Sequence, residues 1–307
     1  MKGVLRRSFV RGRGAAPRPP VCLDPGCTFM RRMWRQAKWW NGSICFQGHS
    51  YCAPQCFERA ASLCFAGFCT PALLELPVRH RVPLGLLMLE RGQLTNHQLR
   101  LALEAQKTNG RGRIGEWLET LGFVTEPQVT AALAVQWACP VFASSSIPDM
   151  KAARLLPHRL LFSFRMCPVQ FVEQTRTMYV SFSERVDYGA LYAIEQMLEC
   201  RTEPGLVGGR VMDRFLEQLV DERGPGDLLF EGWRDPADMA RITCGYVLKF
   251  GAEEVRVVRF GSYIWARLKA GRDAANLLFG LPTIASAACD TPFTSYASAK
   301  VSAAAGR

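Results

Sequence analysis

Histidine is scarce in this 307-residue chain: four occur, at His49, His80, His97 and His158, each in a different local context. A lone histidine is more often a surface or hydrogen-bonded residue than a general base. The G-x-x-x-x-G-K-[ST] phosphate loop, H-E-x-x-H, G-x-S-x-G and the kinase signatures are all missing. The neighbouring carboxylates Glu253 and Glu254 would point to opposite faces of a strand, so they do not make an acid–base pair. These absences argue against an enzyme. Long apolar runs are missing too, which excludes a membrane-spanning helix. The first twenty residues are Arg-rich and lack the apolar segment of a secretory signal, so the expected compartment is the cytoplasm.

Acidic residues are nearly absent from one region. Residues 1–38 carry ten Lys or Arg against the single acid Asp24, whereas the remaining chain is close to neutral within a formal net charge of +11. Such an arm is either a solvated leader, here residues 1–20, or a contact for nucleic acid or an anionic surface. Trp34, Trp39 and Trp40 lie among Arg31, Arg32, Arg35 and Lys38. That interleaving suits single-stranded nucleic acid, and equally suits indoles covered by stacked arginines. At 49% hydrophobic and 21% charged, the body is globular and long enough for two or three domains.

Seven of the twelve cysteines (Cys22, Cys27, Cys45, Cys52, Cys56, Cys64, Cys69) crowd into residues 22–69. In a reducing compartment, clustered thiols more often bind metal than form disulfides. Cys22-x4-Cys27 and Cys52-x3-Cys56 form two chelating pairs, with Phe46–Tyr51 as a small hairpin and Cys56–Ala60 opening a helix. Four thiolates suit a closed, structural zinc site, which would offset the small core of so short a segment. Cys45 and His49 are alternative ligands, Cys64 and Cys69 suit ordinary buried thiols, and free cysteines throughout are the other reading. The module is assigned to residues 21–70.

Residues 83–106 and 113–136 align with seven identities in 24: Gly85/Gly115, Gly92/Gly122, Thr95/Thr125, Gln98/Gln128, Ala102/Ala132, Leu103/Leu133 and Gln106/Gln136. Leu84/Ile114, Met88/Leu118, Leu94/Val124 and Leu99/Val129 match in polarity, so this is an internal repeat. Each copy reads as two helices. The first, about Leu84–Arg91 and Ile114–Leu121, ends at a glycine suited to a left-handed cap. The second starts at T-x-x-Q, a capping box at Thr95 and Thr125. A small helical bundle is the plain reading. A glycine opening each copy and a glutamine closing each apolar stripe would also suit a two-fold ligand.

The doubled pattern resembles the N-terminal domain of the hexameric ATPases of type II secretion and type IV pilus assembly, in the variety that binds cyclic di-GMP. The first copy matches that family's motif at Leu84, Gly85, Met88, Leu89, Gly92, Leu94, Leu99, Leu103 and Gln106. The second matches at Arg113, Ile114, Gly115, Leu118, Gly122, Phe123, Val124, Val129, Leu133 and Gln136. The resemblance implies cyclic di-GMP as ligand at these positions. Departures are Pro83 where the first arginine belongs, Gln93 and Glu119 at apolar positions, and a six-residue spacer, Lys107–Gly112. A bidentate Arg–guanine contact is worth ~1–3 kcal/mol, so losing one of two would weaken binding roughly tenfold to a hundredfold. Arg81 is near, with Pro83 restricting the backbone between.

The tandem repeat is assigned to 78–140 and a small mixed α/β subdomain to 141–222. The subdomain has a helix over 148–157, strands over Met166–Glu173 and Thr177–Glu184, helices over Asp187–Leu198 and Gly208–Val220, and an extended piece near 202–207. Residues 230–282, a helix over Asp238–Phe250 and a hairpin over Glu254–Lys269, resemble a degenerate form of the domain that precedes the nucleotide site in those ATPases. An Ala/Ser-rich tail, 283–307, reads as disordered. The expected fold class is α+β: a tandem helical repeat, then the α/β subdomain, with an N-terminal zinc-binding module. The expected function is a non-enzymatic regulator or adaptor that docks to a secretion or pilus component or its ATPase. The alternative is a zinc-dependent nucleic-acid-binding regulator using the basic N-terminus.

Overall fold

The computed structural model describes residues 22–27, 43–69, 81–110, 112–143, 148–220 and 227–281. The leader, the tail and the Trp34–Trp40 cluster lie outside the described residues. Among the described residues the fold is mixed α and β, with ten helices and two sheets.

The cysteine-rich segment supplies β1 (Ile44–Phe46), β2 (His49–Tyr51) and α1 (Pro54–Cys69). Gln47 and Gly48 both have positive φ, 49° and 79°, which matches a tight hairpin turn to the strand twist. The repeat supplies α2 (Leu84–Glu90), α3 (Asn96–Asn109), α4 (Ile114–Thr120) and α5 (Glu126–Trp137). Capping boxes form at Thr95 with Gln98 and at Thr125 with Gln128. Gly92 and Gly122, at φ 66° and 69°, end the short helices, and the next residues, Gln93 and Phe123, donate back to the Met88 and Leu118 carbonyls.

Next come α6 (Met150–Ala153), α7 (His158–Ser163), β3 (Met166–Val172), β4 (Thr177–Phe182), α8 (Tyr188–Leu198), β5 (Arg201–Leu206) and α9 (Gly209–Val220). The single helix expected over 148–157, ending before Pro157, is one turn, α6, and Pro157 instead caps the start of a second short helix, α7. Proline is at home there because a first-turn N–H has no intrahelical partner. Strands β3 and β4 pair antiparallel and β4 and β5 parallel, with α8 as the crossover.

The C-terminal part supplies β6 (Asp227–Phe230), α10 (Pro236–Phe250), β7 (Glu254–Phe260), β8 (Tyr263–Ala270) and β9 (Asp273–Gly280). Here the structure departs most from the sequence reading. The sheet order is β2-β1-β7-β8-β9-β6, so the cysteine-rich hairpin is the edge of the C-terminal sheet. Strand β1 runs parallel to β7, with Cys45 N–H donating to the Glu253 carbonyl (2.8 Å) and Gln47 N–H to that of Val255 (3.1 Å). Helix α1 packs along α10, and Phe46, Phe57, Phe65, Met239, Val247, Ile264 and Phe279 share one core. Segments 21–70 and 230–282, read separately in the sequence, therefore share a sheet and a core, and the intervening chain leaves that unit and returns to it.

The other face of the same sheet is also covered. Val258, Phe260, Trp265 and Leu278 join the core beneath the three-stranded sheet, while Val255, Val257, Ile264, Leu277 and Phe279 face α1 and α10. Burial on both faces accounts for the adjacent buried apolar residues within otherwise alternating strands, Val257 with Val258 and Leu277 through Phe279. The buried Trp265 Nε1 donates to Asn276 Oδ1 (3.0 Å) and Asn276 Nδ2 to Asp227 Oδ1 (2.8 Å), while Asp227 Oδ2 accepts from the His158 N–H (2.9 Å).

The turn between β7 and β8 lies where the two cores meet. Gly261 has φ +60°, and a Cβ there would sit 2.5 Å from the Phe164 ring, itself packed edge-on against Phe260 at 4.6 Å. Gly261→Ala combines a left-handed backbone cost of about 1–2 kcal/mol with displacement of that ring. We expect a clear drop in the chemical-denaturation midpoint, and an unchanged midpoint would contradict the packing described.

Candidate metal centre and repeat surface

The Sγ atoms of Cys22, Cys27, Cys52 and Cys56 all lie within 4.8 Å of one another. Cys27 Sγ is 3.4 Å from Cys52 Sγ, which is 4.0 Å from Cys56 Sγ. Zinc–sulfur bonds of about 2.3 Å in a tetrahedron place sulfurs about 3.8 Å apart, so the donor set fits zinc. The eleven described cysteines are all free thiols.

Local structure brings the four together. Residues 24–27 form a tight turn in which Cys27 N–H donates to the Asp24 carbonyl (3.1 Å) and Gly26 N–H to Asp24 Oδ1 (3.1 Å). Leu23 N–H donates to the Ser50 carbonyl (3.2 Å), fastening the turn beside β2. Cys52 follows β2 directly, and Cys56 lies in the first turn of α1. Cys22 and Cys56 are buried, while Cys27 and Cys52 are half-buried. Burial and the neighbouring sulfurs push the Cys52 thiol up to about 12, and burial pushes Cys56 higher. Four sulfurs so placed become thiolates together only around a cation.

The candidate alternatives fall outside this cluster. Cys45 is on β1 and the exposed His49 opens the edge strand β2. Cys64 and Cys69 are half-buried on α1, where burial raises both thiols. Sequence reasoning overlooked Arg59, one turn beyond Cys56. It pairs with the buried Asp24 carboxylate, holding that group near a pKa of about 2 despite burial, and its Nη2 lies 3.7 Å from Cys56 Sγ. A charged donor three residues after a candidate ligand on a helix was the available signal.

In the repeat, Leu84, Gly85, Met88, Gly115, Leu118 and Val129 are buried; Leu99, Gln106, Ile114, Leu133 and Gln136 are half-buried; Gly92, Leu103, Arg113 and Gly122 are exposed. The matched glycines bring helices close. A Cβ on Gly85 would meet Leu99 Cδ1 at 2.6 Å, and one on Gly115 would meet Val129 Cγ1 at 3.0 Å. The matched glutamines reach across the repeat. Gln106 Nε2 donates to the Gly112 carbonyl (3.0 Å), and Gln136 Nε2 to that of Val82 (2.6 Å). Each glutamine thus holds the backbone just ahead of the other copy's first helix, in a pseudo-two-fold exchange.

The arginines are unequal. Arg113 precedes α4, is exposed, and pairs with Glu184 just beyond β4. Pro83 occupies the matching place before α2. The Arg81 guanidinium lies 3.3 Å from the centre of the Trp137 ring, with Tyr188 at 6.0 Å, a stacked position rather than a free one. Among the described residues no helix is long and apolar enough to cross a membrane.

No family model and no curated protein matches this chain. Solved structures similar to part of it include MshE with cdg, cyclic di-GMP, at 29% identity, covering 45% of this chain and 99% of that one with a TM-score of 0.39. The N-terminal domain of XpsE is similar at 20% identity, covering 44% of this chain and 92% of that one with a TM-score of 0.34. A second crystal form of that domain covers 42% and 89% at 22% identity and a TM-score of 0.28.

Proposed function

We propose that this chain is a non-enzymatic regulatory adaptor of a type II secretion or type IV pilus machine, acting in the cytoplasm. The four-cysteine cluster holds a structural zinc ion; a closed thiolate set leaves no coordination position for a substrate. The helical repeat docks a machine component or its ATPase and takes cyclic di-GMP as its signal.

The observation that carries this reading is the doubled motif, two 24-residue copies at 83–106 and 113–136 that adopt matching helix pairs. In this reading the two halves contribute unequally. Arg113 supplies a guanidinium to the second half, while Pro83 leaves the first without one. The position accepts an arginine, because Pro83 is exposed and its φ of −55° is open to other residues.

Isothermal titration of cyclic di-GMP into the full chain tests the nucleotide part. We expect weak binding by the wild type and roughly tenfold to a hundredfold tighter binding by Pro83→Arg. No heat from either protein, with the fold intact, removes cyclic di-GMP from the reading. Affinity capture that recovers no machine component removes the docking role.

A further inference from the structure

The six-stranded sheet ends on β6, and among the described residues no strand pairs with its outer side. Such an edge carries backbone N–H and C=O groups open to another strand, and a lysine or a covering segment usually blunts it. Here the edge is apolar and acidic instead. Leu229 in β6 is 37% exposed and Trp233, just beyond it, 55%. Residues 227–238 read DLLFEGWRDPAD, four carboxylates against one arginine, and the Arg234 guanidinium lies over the Phe230 ring at 5.6 Å. Asp227 is held by Asn276 and the His158 N–H, and Asp238 by Arg241 (2.9 Å). Glu231 and Asp235, on either side of Trp233, are exposed and form no ion pair among the described residues. Arg159 of α7 faces Glu231, with its Nε donating to the Tyr263 hydroxyl (3.3 Å).

The occupant that matches this edge is an extended segment, basic and partly apolar, and the chain carries one outside the described residues. Residues 1–21 hold Lys2, Arg6, Arg7, Arg11, Arg13 and Arg18 and no acid. Within them residues 4–11, VLRRSFVR, lie between Gly3 and Gly12 and contain neither glycine nor proline. Val4, Leu5, Phe9 and Val10 among three arginines make the composition of a strand. The arm meets the described structure at Cys22, beside β2, where the Leu23 N–H bonds the Ser50 carbonyl. Strands β2 and β6 are opposite ends of the sheet, five spacings or about 24 Å apart. The connecting residues 12–21, with Pro17, Pro19 and Pro20 favouring extension, span up to about 33 Å. The arm is therefore long enough to reach the far edge of its own sheet.

We infer that residues 4–11 of the chain's own basic arm add as a further strand to the outer side of β6. Backbone pairing supplies the alignment, the arginines meet Glu231 and Asp235, and the apolar side chains cover Leu229 and Trp233. The inference stands apart from the cyclic di-GMP reading, since no residue of the repeat takes part. Docked in this way, the arm closes the sheet edge and keeps its cations from other anions. A nucleic acid or an anionic membrane then has to displace an internal partner before it can use them.

The experiment compares hydrogen exchange in the full chain, a variant lacking residues 2–12, and the double variant Glu231→Lys, Asp235→Lys. Both substituted residues are exposed, so the core is spared. Expected is a roughly tenfold or larger loss of protection over 227–233 in both variants, with β3 and β4 unchanged. A synthetic peptide of residues 1–14 should restore protection to the deletion variant, and raising salt from ~50 to ~500 mM should weaken it in the full chain. Protection of 227–233 that the deletion leaves unchanged overturns the docking. A dimer that the deletion converts to a monomer, read by light scattering, also overturns it, because the arm then lies on a second copy. A single-stranded oligonucleotide gives an independent reading. The double variant, its arm released, should bind it more tightly than wild type, and this gain should vanish when residues 2–12 are also deleted. Equal binding by wild type and double variant, or a gain that survives the deletion, means the arm is not held at β6.

Discussion

Cys56→Ser is expected to release the metal from the protein, lowering bound zinc from one equivalent per chain to none as read by elemental analysis. A four-thiolate site that loses one ligand keeps too few donors for a closed tetrahedron, and structural zinc sites contribute directly to folding free energy. The structure also says how far the damage travels. Cys22 to Cys27 is a turn tied down by the Leu23–Ser50 hydrogen bond and the Asp24–Arg59 pair, with little apolar burial of its own. Helix α1 is different, since Phe57, Ala61 and Phe65 are fully buried in the core shared with α10 and β7–β9. Hydrogen exchange should therefore rise by orders of magnitude over 22–27 and 49–56 while 57–69 stays protected. Collapse of α1 protection on metal loss would mean that the metal, not the shared core, holds this helix. Stoichiometric zinc retained by the variant would sink the four-ligand site itself.

The second large effect belongs to Phe65→Ala. The Phe65 ring is fully buried and meets Phe279 of β9 edge-on at 5.7 Å. Truncating a buried phenylalanine costs about 3–5 kcal/mol, a large part of a domain's stability. Because its contacts lie on the C-terminal sheet, the loss should destabilise 43–69 and 236–280 together, in one cooperative unfolding transition. Two separate transitions, with the C-terminal sheet keeping its wild-type midpoint, would show that the N-terminal hairpin and helix are an attachment rather than part of the unit. Further contacts weigh against that outcome: Cys244 Sγ donates to the Pro54 carbonyl, and Arg259 Nη1 to that of Phe68 at 3.2 Å.

These two expectations change the physical account of the cysteine-rich segment. Taken alone, residues 21–70 lack apolar mass for a stable core, which makes a metal seem indispensable to the whole module. In the structure the missing mass comes from α10 and the far end of the chain. On the proposed zinc reading, the metal has only the turn and the start of α1 to organise, a smaller task than folding the module outright.

The repeat shows the same division between local and distant causes. Thr95 and Gln98, or Thr125 and Gln128, lie three residues apart, so their capping boxes follow from adjacent chemistry and can be read from the sequence. The glutamines that end each copy are another matter. Gln106 and Gln136 look like polar groups awaiting a ligand, yet each hydrogen-bonds to the backbone before the other copy's first helix. That exchange requires the four helices to be assembled. Arg113 and Glu184, 71 positions apart by their numbering, come together through packing of the repeat beside the sheet unit.

What the sequence by itself determined is what adjacent residues decide: the helix pairs with their caps and glycine stops, the hairpin around Gln47-Gly48, the strands β3 and β4, and the two cysteine pairs close enough to chelate. Tertiary structure alone decided that β1 joins β7, that α1 shares a core with α10, and that β9 completes the sheet. The reason is physical. Caps, turns and hydrophobic periodicity act over a few residues, whereas a parallel edge pairing such as Cys45 with Glu254 gains nothing until both faces of the sheet are buried by segments from elsewhere in the chain.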